Sequence, residues 1–359
     1  MLNPHPSLVD SVSTATITTP PAGAFRLERE RPARRAWLEA GGHRLQPFDL
    51  HARDAFKAAL NDVAVPLSDY SFANNIIWLS LASGFWQQIE DCFCLFMLSG
   101  NGLAMMLPPL GPPVAQRAAM AVCAELMAEY NGCDDSAHID YVYPGFLDQL
   151  ERGADGGLVR AGDHLFEVRP ANADYIYETA DLIALQGHAY KNKRNEINQF
   201  RKCYPDHTLV PFHRDHRGAA LELLNTWMQQ RLRGTNSDAP MGQVVSFIEY
   251  EHKAIQRSID LYDQLGLVGL SLFVDGRLAG FTFGERIRPD VASVIVEKTD
   301  FAIQGAAQYL FREFSKVLSD CRFINVGDDL GFENLRRVKM SYRPAFFGEK
   351  CVLQMVARG

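Results

Sequence analysis

The stretch VASVIVEKTDFAIQGAAQYLF, residues 291–311, limits what this chain can fold into more than any other. From Val291 to Thr299 it alternates with little polar interruption: Val291, Ser293, Ile295 and Glu297 fall on one face, Ala292, Val294, Val296 and Lys298 on the other. That is the pattern of a strand buried on both sides. Glu297 and Lys298 break it at the C-terminal tip, where open α/β sheets place their chemistry. Gln304-Gly305-Ala306-Ala307 then opens a helix with almost no side-chain bulk in its first turn. Two readings of those small residues stand. Either the helix end is left open, so that its free N–H groups and positive dipole take an anion, or the helix packs closely onto the sheet.

The chain around this segment is that of a globular protein. Its 359 residues, 47% hydrophobic and 22% charged, support one large domain or two ordinary ones. A net charge of −7 argues against a general nucleic-acid binder with a strongly basic domain and leaves room only for a local basic patch. The seven cysteines are odd in number, scattered and without a C-x-x-C pair, so reduced thiols in a cytoplasmic protein are expected. No apolar run is long enough to cross a bilayer, and no secretion signal is read at the N-terminus.

Residues 1–45 divide into a Ser/Thr/Pro-rich stretch and a mixed-charge stretch, and are expected to be a disordered or linking extension. Residues 46–172 read as helix, helix, β, β, α, β, α and a closing strand, with a hairpin turn at Gly100-Asn101-Gly102 and a proline stop at 108–113. Residues 173–205 hold a helix in which Lys191, Lys193, Arg194, Arg201 and Lys202 outweigh Glu196, while Ile197 and Phe200 face inward. This connecting helix is either a solvated linker or a surface that meets phosphates. Residues 206–359 repeat the element order, with two long helices, a hairpin at Asp275-Gly276, the 291–311 segment, and a last strand at 350–356. Two similar mixed α/β units side by side are the simplest architecture.

Three long segments carry a family likeness: YIYETADLIALQGHAYKNKRNEINQF, VIVEKTDFAIQGAAQYLFREFSK and INVGDDLGFENLRRVKMSYRP, joined by SDYSFANNIIW and MLPPLGPP in the first half. In this order they resemble the C-terminal domain of phosphatidylglycerol lysyltransferases, including its stand-alone members. The resemblance implies an α/β (α+β) fold of two tandem GNAT-like, N-acetyltransferase-type, mixed-sheet domains. In such folds a strand splays from its neighbour, and the following helix takes the pyrophosphate of an acyl-CoA through a Gln/Arg-x-x-Gly-x-Gly/Ala turn. Here Gln304, Gly305 and Ala306 depart from that spacing. The resemblance points instead to an aminoacyl-tRNA donor, with acyl-CoA as the alternative co-substrate and no tightly bound cofactor.

Transfer from an activated ester needs a base, donors for the tetrahedral oxyanion and an acid for the leaving oxygen. Glu297 is the candidate base or amine-recognising carboxylate, unless it pairs with Lys298. Backbone N–H groups near Val296 to Lys298 are the expected oxyanion donors. Tyr342 resembles the tyrosine that some GNAT enzymes use as general acid; the alternative is a packed ring with a hydrogen-bonded tip. Asp328 and Asp329, with Lys298 and Asn325, are candidate substrate-binding residues, since paired carboxylates repel unless a cation sits between them. The alternative role for the two aspartates is helix capping. Lys339 and Arg343 form a second basic cluster that would meet the tRNA acceptor end beside Lys191, Arg194 and Asn195, or else pair with nearby acids. His207, His213 and His216 lack an acidic or cysteine partner at metal spacing, and no metal is expected. The leading expectation is aminoacyl transfer to an amine or hydroxyl of a soluble small molecule or peptide. Acyl-CoA-dependent N-acylation, lipid modification of the phosphatidylglycerol type and a non-catalytic binding module are the rivals.

Overall fold

The computed structural model describes residues 37–79, 83–132, 136–153, 157–233 and 241–356. Of the extension expected over residues 1–45, residues 1–36 lie outside them. In chain order the first half gives strands β1 (Leu38–Ala40), β2 (His43–Pro47), β3 (Ser83–Ile89), β4 (Cys92–Ser99), β5 (Gly102–Met105), β6 (His138–Val142), β7 (Glu151–Arg152), β8 (Leu158–Ala161) and β9 (His164–Pro170). Its helices are α1 (Arg53–Ala59), α2 (Phe72–Trp78), α3 (Pro113–Asn131) and α4 (Pro144–Leu147). The second half gives β10 (Asp174–Glu178), β11 (Thr208–Pro211), β12 (Val268–Val274), β13 (Arg277–Arg288), β14 (Val291–Thr299), β15 (Phe323–Asn325), β16 (Phe346–Gly348) and β17 (Cys351–Met355). Its helices are α5 (Thr179–Ala184), α6 (Lys191–Cys203), α7 (Arg217–Arg233), α8 (Met241–Asp260), α9 (Tyr262–Leu265), α10 (Ala306–Val317) and α11 (Glu333–Met340).

Two mixed sheets result, ordered β1-β2-β3-β4-β5-β6-β17-β9-β8-β7 and β11-β12-β13-β14-β15-β10-β16. Each is antiparallel except for one crossover, β5–α3–β6 in the first and β14–α10–β15 in the second. The repeated crossover is the structural form of the repeated element order. In both units the parallel pair is short: β5 and β6 meet only at Met105↔Ile139, and β14 and β15 over three residue pairs.

Three expected boundaries move. Leu38–Ala40 and His43–Pro47 belong to the first sheet rather than to a linker. The segment expected to connect the halves begins with β10, which sits between β15 and β16 inside the second sheet. Most consequentially, β17, expected to complete the second unit, lies between β6 and β9 of the first. Its Cys351, Leu353 and Met355 alternate into the first unit's core with Ile139 and Phe166. Strand propensity alone cannot say which sheet takes such a segment. A shared core strengthens the link: Phe56, Ile76 and Ile77 of the first half pack in one buried cluster with Leu224, Trp227 and Ile255 of the second. Among the described residues no helix is long and apolar enough to cross a membrane.

One residue before β17, Lys350 ties the sheets electrostatically. Its Nζ lies 2.6 Å from Asp69 Oδ2, 2.8 Å from Asp174 Oδ1 and 3.3 Å from Asp328 Oδ2. Asp174 Oδ2 also accepts hydrogen bonds from the Ser68 amide and hydroxyl and from Asn325 Nδ2, each at 2.8 Å. Burial lowers the affinity of Lys350 for its proton, but Asp174, Asp69 and Asp328 together outweigh it and hold the ammonium charged. Burial pushes Asp69 up to about 7, whereas at Asp174 the Lys350 charge and the donated hydrogen bonds overcome burial and lower the carboxyl. Removing the cation strands these carboxylates, so Lys350→Ala is expected to destabilise the protein by about 3–5 kcal/mol in urea unfolding. A loss below about 1 kcal/mol, the size of a surface pair, would show that this network does not join the sheets.

Candidate functional site

The chemistry expected at the tip of β14 depends on a break in its alternation. Phe283 of β13 pairs with Val296 and Gly284 with Val294, so Ile295 is an extra residue, a β-bulge. Gly284 is required there: a Cβ on it would lie 2.4 Å from the Ser293 carbonyl oxygen. Ala292 and Val294 face the core built with α5, α6 and α10, whereas both Ile295 and Val296 face the core shared with α7 and α8. Past the bulge the faces are therefore exchanged. Glu297 points to the α6 and α10 side, and Lys298 to the other. β15 pairs with β14 only from Val291 to Ser293, so from Val294 to Thr299 that edge of β14 has no strand beside it.

Glu297 and Tyr342 lie on the same side of the sheet, that of α6 and α10. The Glu297 carboxyl is pushed by burial up to about 8 against the opposing charge of Lys298, and its Oε2 is buried without a hydrogen-bond partner among the described residues. The Tyr342 ring stands edge-on to Phe311 of α10 and Tyr177 of β10, with centroids 5.0 and 6.4 Å away, and its backbone carbonyl accepts the Tyr190 hydroxyl at 2.9 Å. Burial first, then the charges of Glu297 and Glu196, raise the Tyr342 phenol. Lys193 Nζ lies 4.4 Å from the Tyr342 ring centroid and 3.9 Å from Glu196 Oε2, and burial lowers its ammonium despite that carboxylate. Glu196 Oε2 is buried and, like Glu297 Oε2, makes no hydrogen bond. Lys193 and Glu196 were not singled out for the site from sequence. Their spacing to Ile197 and Phe200 does put all four on one helical stripe, and that was the available signal.

The other expected site residues are placed differently. Lys298 pairs with Glu251 at 2.8 Å and lies 3.7 Å over the Trp227 ring, on the far face of β14 from Glu297. Asn325 is fully buried, donating to Pro66 O and Asp174 Oδ2 and accepting the Gly327 amide, which makes it a corner brace rather than a substrate contact. Cations do separate Asp328 and Asp329, but they are the protein's own: Lys350 for Asp328, and Arg336 at 2.9 Å for Asp329, which also accepts the Tyr175 hydroxyl. Lys339 donates to the carbonyls of Val326, Gly327 and Asp328, and burial brings it down to about 8. Arg194 donates to the carbonyls of Leu185 and Gly187, closing the end of α5. Lys191, Asn195 and Arg343 are exposed.

The small first turn of α10 resolves in favour of packing. A Cβ on Gly305, where φ is +80°, would lie 2.5 Å from the Glu196 carbonyl and 3.0 Å from Phe200 Cβ, so α6 lies directly on it. Gly305 and Ala306 are buried, the Ala306 amide is taken by Ile303 O, and exposed Gln304 accepts from Gln199 at 3.3 Å. Gln304, Gly305 and Ala306 thus form the seat of α6 instead of an open anion site. An open cleft of about 400 Å³ lined by Tyr204, Arg277, Asp300 and Ile303 shares no residue with the Glu297 crevice. Among the described residues no group of three His, Cys, Asp or Glu side chains is disposed to hold a metal.

The sequence matches the family described as "Phosphatidylglycerol lysyltransferase, C-terminal" over residues 62–352. The chain belongs to that family. A crystal structure of a conserved protein of unknown function from Bacteroides thetaiotaomicron is similar, with a TM-score of 0.74, 27% identity, and coverage of 87% of this chain and 99% of that one. The C-terminal domain of a putative lysylphosphatidylglycerol synthetase from Agrobacterium fabrum shares the fold, with a TM-score of 0.55 at 12% identity over 84% of this chain and 92% of that one. An uncharacterized protein of Mycoplasmoides gallisepticum is 22% identical over 193 residues, 53% of this chain and 58% of its own length. The chain therefore shares the fold of these two structures, and the family it belongs to points to an acyltransferase.

The Glu297 environment makes a pH prediction. Its folded-state affinity for the proton is raised, so the stabilisation is present in full below the ordinary carboxyl range and is lost as pH rises towards about 8. Asp69 acts in the same sense up to about 7, so the comparison must be differential. Unfolding free energy is expected to fall between pH 5 and pH 8.5 more steeply in the wild type than in Glu297→Gln. Parallel curves would mean that Glu297 is hydrated and ordinary.

Proposed function

We propose that the protein transfers an aminoacyl group from aminoacyl-tRNA to a nucleophile on a small-molecule or peptide acceptor, in the crevice where β14 parts from β15. The observation that carries this reading is Glu297, whose buried Oε2 has no hydrogen-bond partner among the described residues, on the Tyr342 side of a strand whose edge is unpaired there. Glu297 is suited to take the acceptor's proton and Tyr342 to protonate the leaving ribose oxygen. The bare edge of β14 is suited to steady the oxyanion with backbone N–H groups.

The choice of donor follows from α6. By covering the first turn of α10 it occupies the place where a pyrophosphate would sit on a helix end, which counts against acyl-CoA held in that manner. The same helix presents exposed Lys191, Asn195, Asn198 and Lys202 outward, a surface suited to the phosphates of an acceptor stem. The phosphatidylglycerol lysyltransferase relatives suggest aminoacyl chemistry, while the acceptor is a separate question.

With a mixed pool of radiolabelled aminoacyl-tRNA, label is expected to move to a ribonuclease-resistant product. Glu297→Gln and Tyr342→Phe are each expected to lower that rate by about 10²–10⁴-fold with unchanged circular dichroism. Turnover surviving both changes would remove these residues from the chemistry. Lys191→Glu is expected to weaken tRNA use and flatten its salt dependence by roughly one phosphate contact, a slope change of about 0.7–0.9. Arg194→Glu should instead lower stability, because its guanidinium closes α5.

A further inference from the structure

We infer that the open cleft of about 400 Å³ between the β12–β13 hairpin, the end of α6 and the loop after β14 is a binding site for a free α-amino acid, taken as its zwitterion. This goes beyond the transfer reading and does not depend on it. The volume is that of a small-molecule site. The wall carries one cation and two anions: Arg277 at the start of β13, Asp275 in the hairpin turn and Asp300 directly after β14. Opposite charges around one cleft would be expected to pair with each other. Here they stay apart, since neither Arg277 nor either aspartate forms an ion pair among the described residues. Backbone geometry fixes where they stand. Asp275 sits in the tight turn at a φ of +50°, and Arg277 is held opposite Val274 in the ladder. The Asp300 amide donates to Ala279 O at 2.8 Å, while its Oδ1 accepts the Ala302 amide at 2.9 Å and Gln230 Nε2 at 3.5 Å. Its Oδ2 makes no hydrogen bond among the described residues.

That pattern of charge selects among ligands. A phosphate would gain Arg277 but face two carboxylates. A simple amine leaves the guanidinium unmatched, and a simple carboxylate leaves both aspartates so. An α-amino acid brings a planar carboxylate, which a guanidinium grips through two parallel N–H donors, and an ammonium whose three donors suit carboxylate oxygens. Val274, Tyr204 and Ile303, which pack against the core under α6 and α10, supply an apolar part of the wall suited to an aliphatic side chain.

The probes are L-leucine, L-leucinamide and 4-methylpentanoate, which share one side chain and carry both charges, the ammonium alone and the carboxylate alone. Each is titrated into the full chain, without tRNA, by ligand-observed NMR. Leucine is expected to bind saturably and about tenfold or more tighter than either analogue. Arg277→Gln is expected to bring leucine to the level of leucinamide while leucinamide itself is unchanged. Asp300→Asn, which keeps the oxygen that accepts the Ala302 amide, is expected to weaken leucine about tenfold and to leave 4-methylpentanoate no weaker. On the wild-type protein alone, an analogue binding within about threefold of leucine, or no saturation by leucine at about 10 mM, would overturn the inference. So would leucine binding untouched by Arg277→Gln or by Asp300→Asn.

Discussion

A single buried ammonium, that of Lys350, fixes the relation between the two sheets. It gathers a carboxylate from the first unit, Asp69, one from the start of β10, Asp174, and one from the loop after β15, Asp328. Charges this deeply buried are tolerated only when paired and hydrogen-bonded in good geometry. The lysine therefore accepts one arrangement of chain ends, and in that arrangement β17 continues into the first sheet. Asn325, bonded to Asp174 and to Pro66 O, stops β15 at the same corner. The early stop of β15 is what leaves the edge of β14 without a partner.

The crevice is thus a by-product of a well-satisfied joint. The bulge at Ile295 turns Glu297 to the side of the sheet that holds Tyr342, and Gly305 lets α6 lie against α10 closely enough to bring Lys193 over the Tyr342 ring. The first unit carries an equivalent crossover with a single parallel pair, but its α3 is built into its own core, and Leu107 and Leu110 of the proline-rich loop into the core shared by the two halves.

Much of the second unit could be read in advance. The strand at 291–299, the hairpin at Asp275-Gly276 and the packed helix after Gly305 follow from alternation, turn chemistry and small residues, all local properties. Glu297 and Tyr342 drew notice because a carboxylate ending an apolar strand and a tyrosine after a helix are local anomalies too. Lys298, Asn325, Asp328, Asp329, Lys339 and Arg194 were misplaced for a shared reason. A charged or amide side chain in a loop looks free until its partner is known, and these partners come from distant segments or from backbone carbonyls that sequence does not mark.

The sequence by itself determined the kinds of element, the duplicated order and the family, because periodicity, turns and extended motifs are written within short spans of chain. Only the tertiary structure decided which sheet takes the last strand, which face of β14 carries Glu297, and whether the first turn of α10 stays open. Two of those turn on contacts between segments far apart in the chain, β17 with β6 and β9 and Gly305 with Glu196, and the third on how Gly284 and Ser293 pack across one strand pair. A one-residue bulge reverses every side chain beyond it without altering composition or local propensity, and so leaves no mark that reading along the chain can detect.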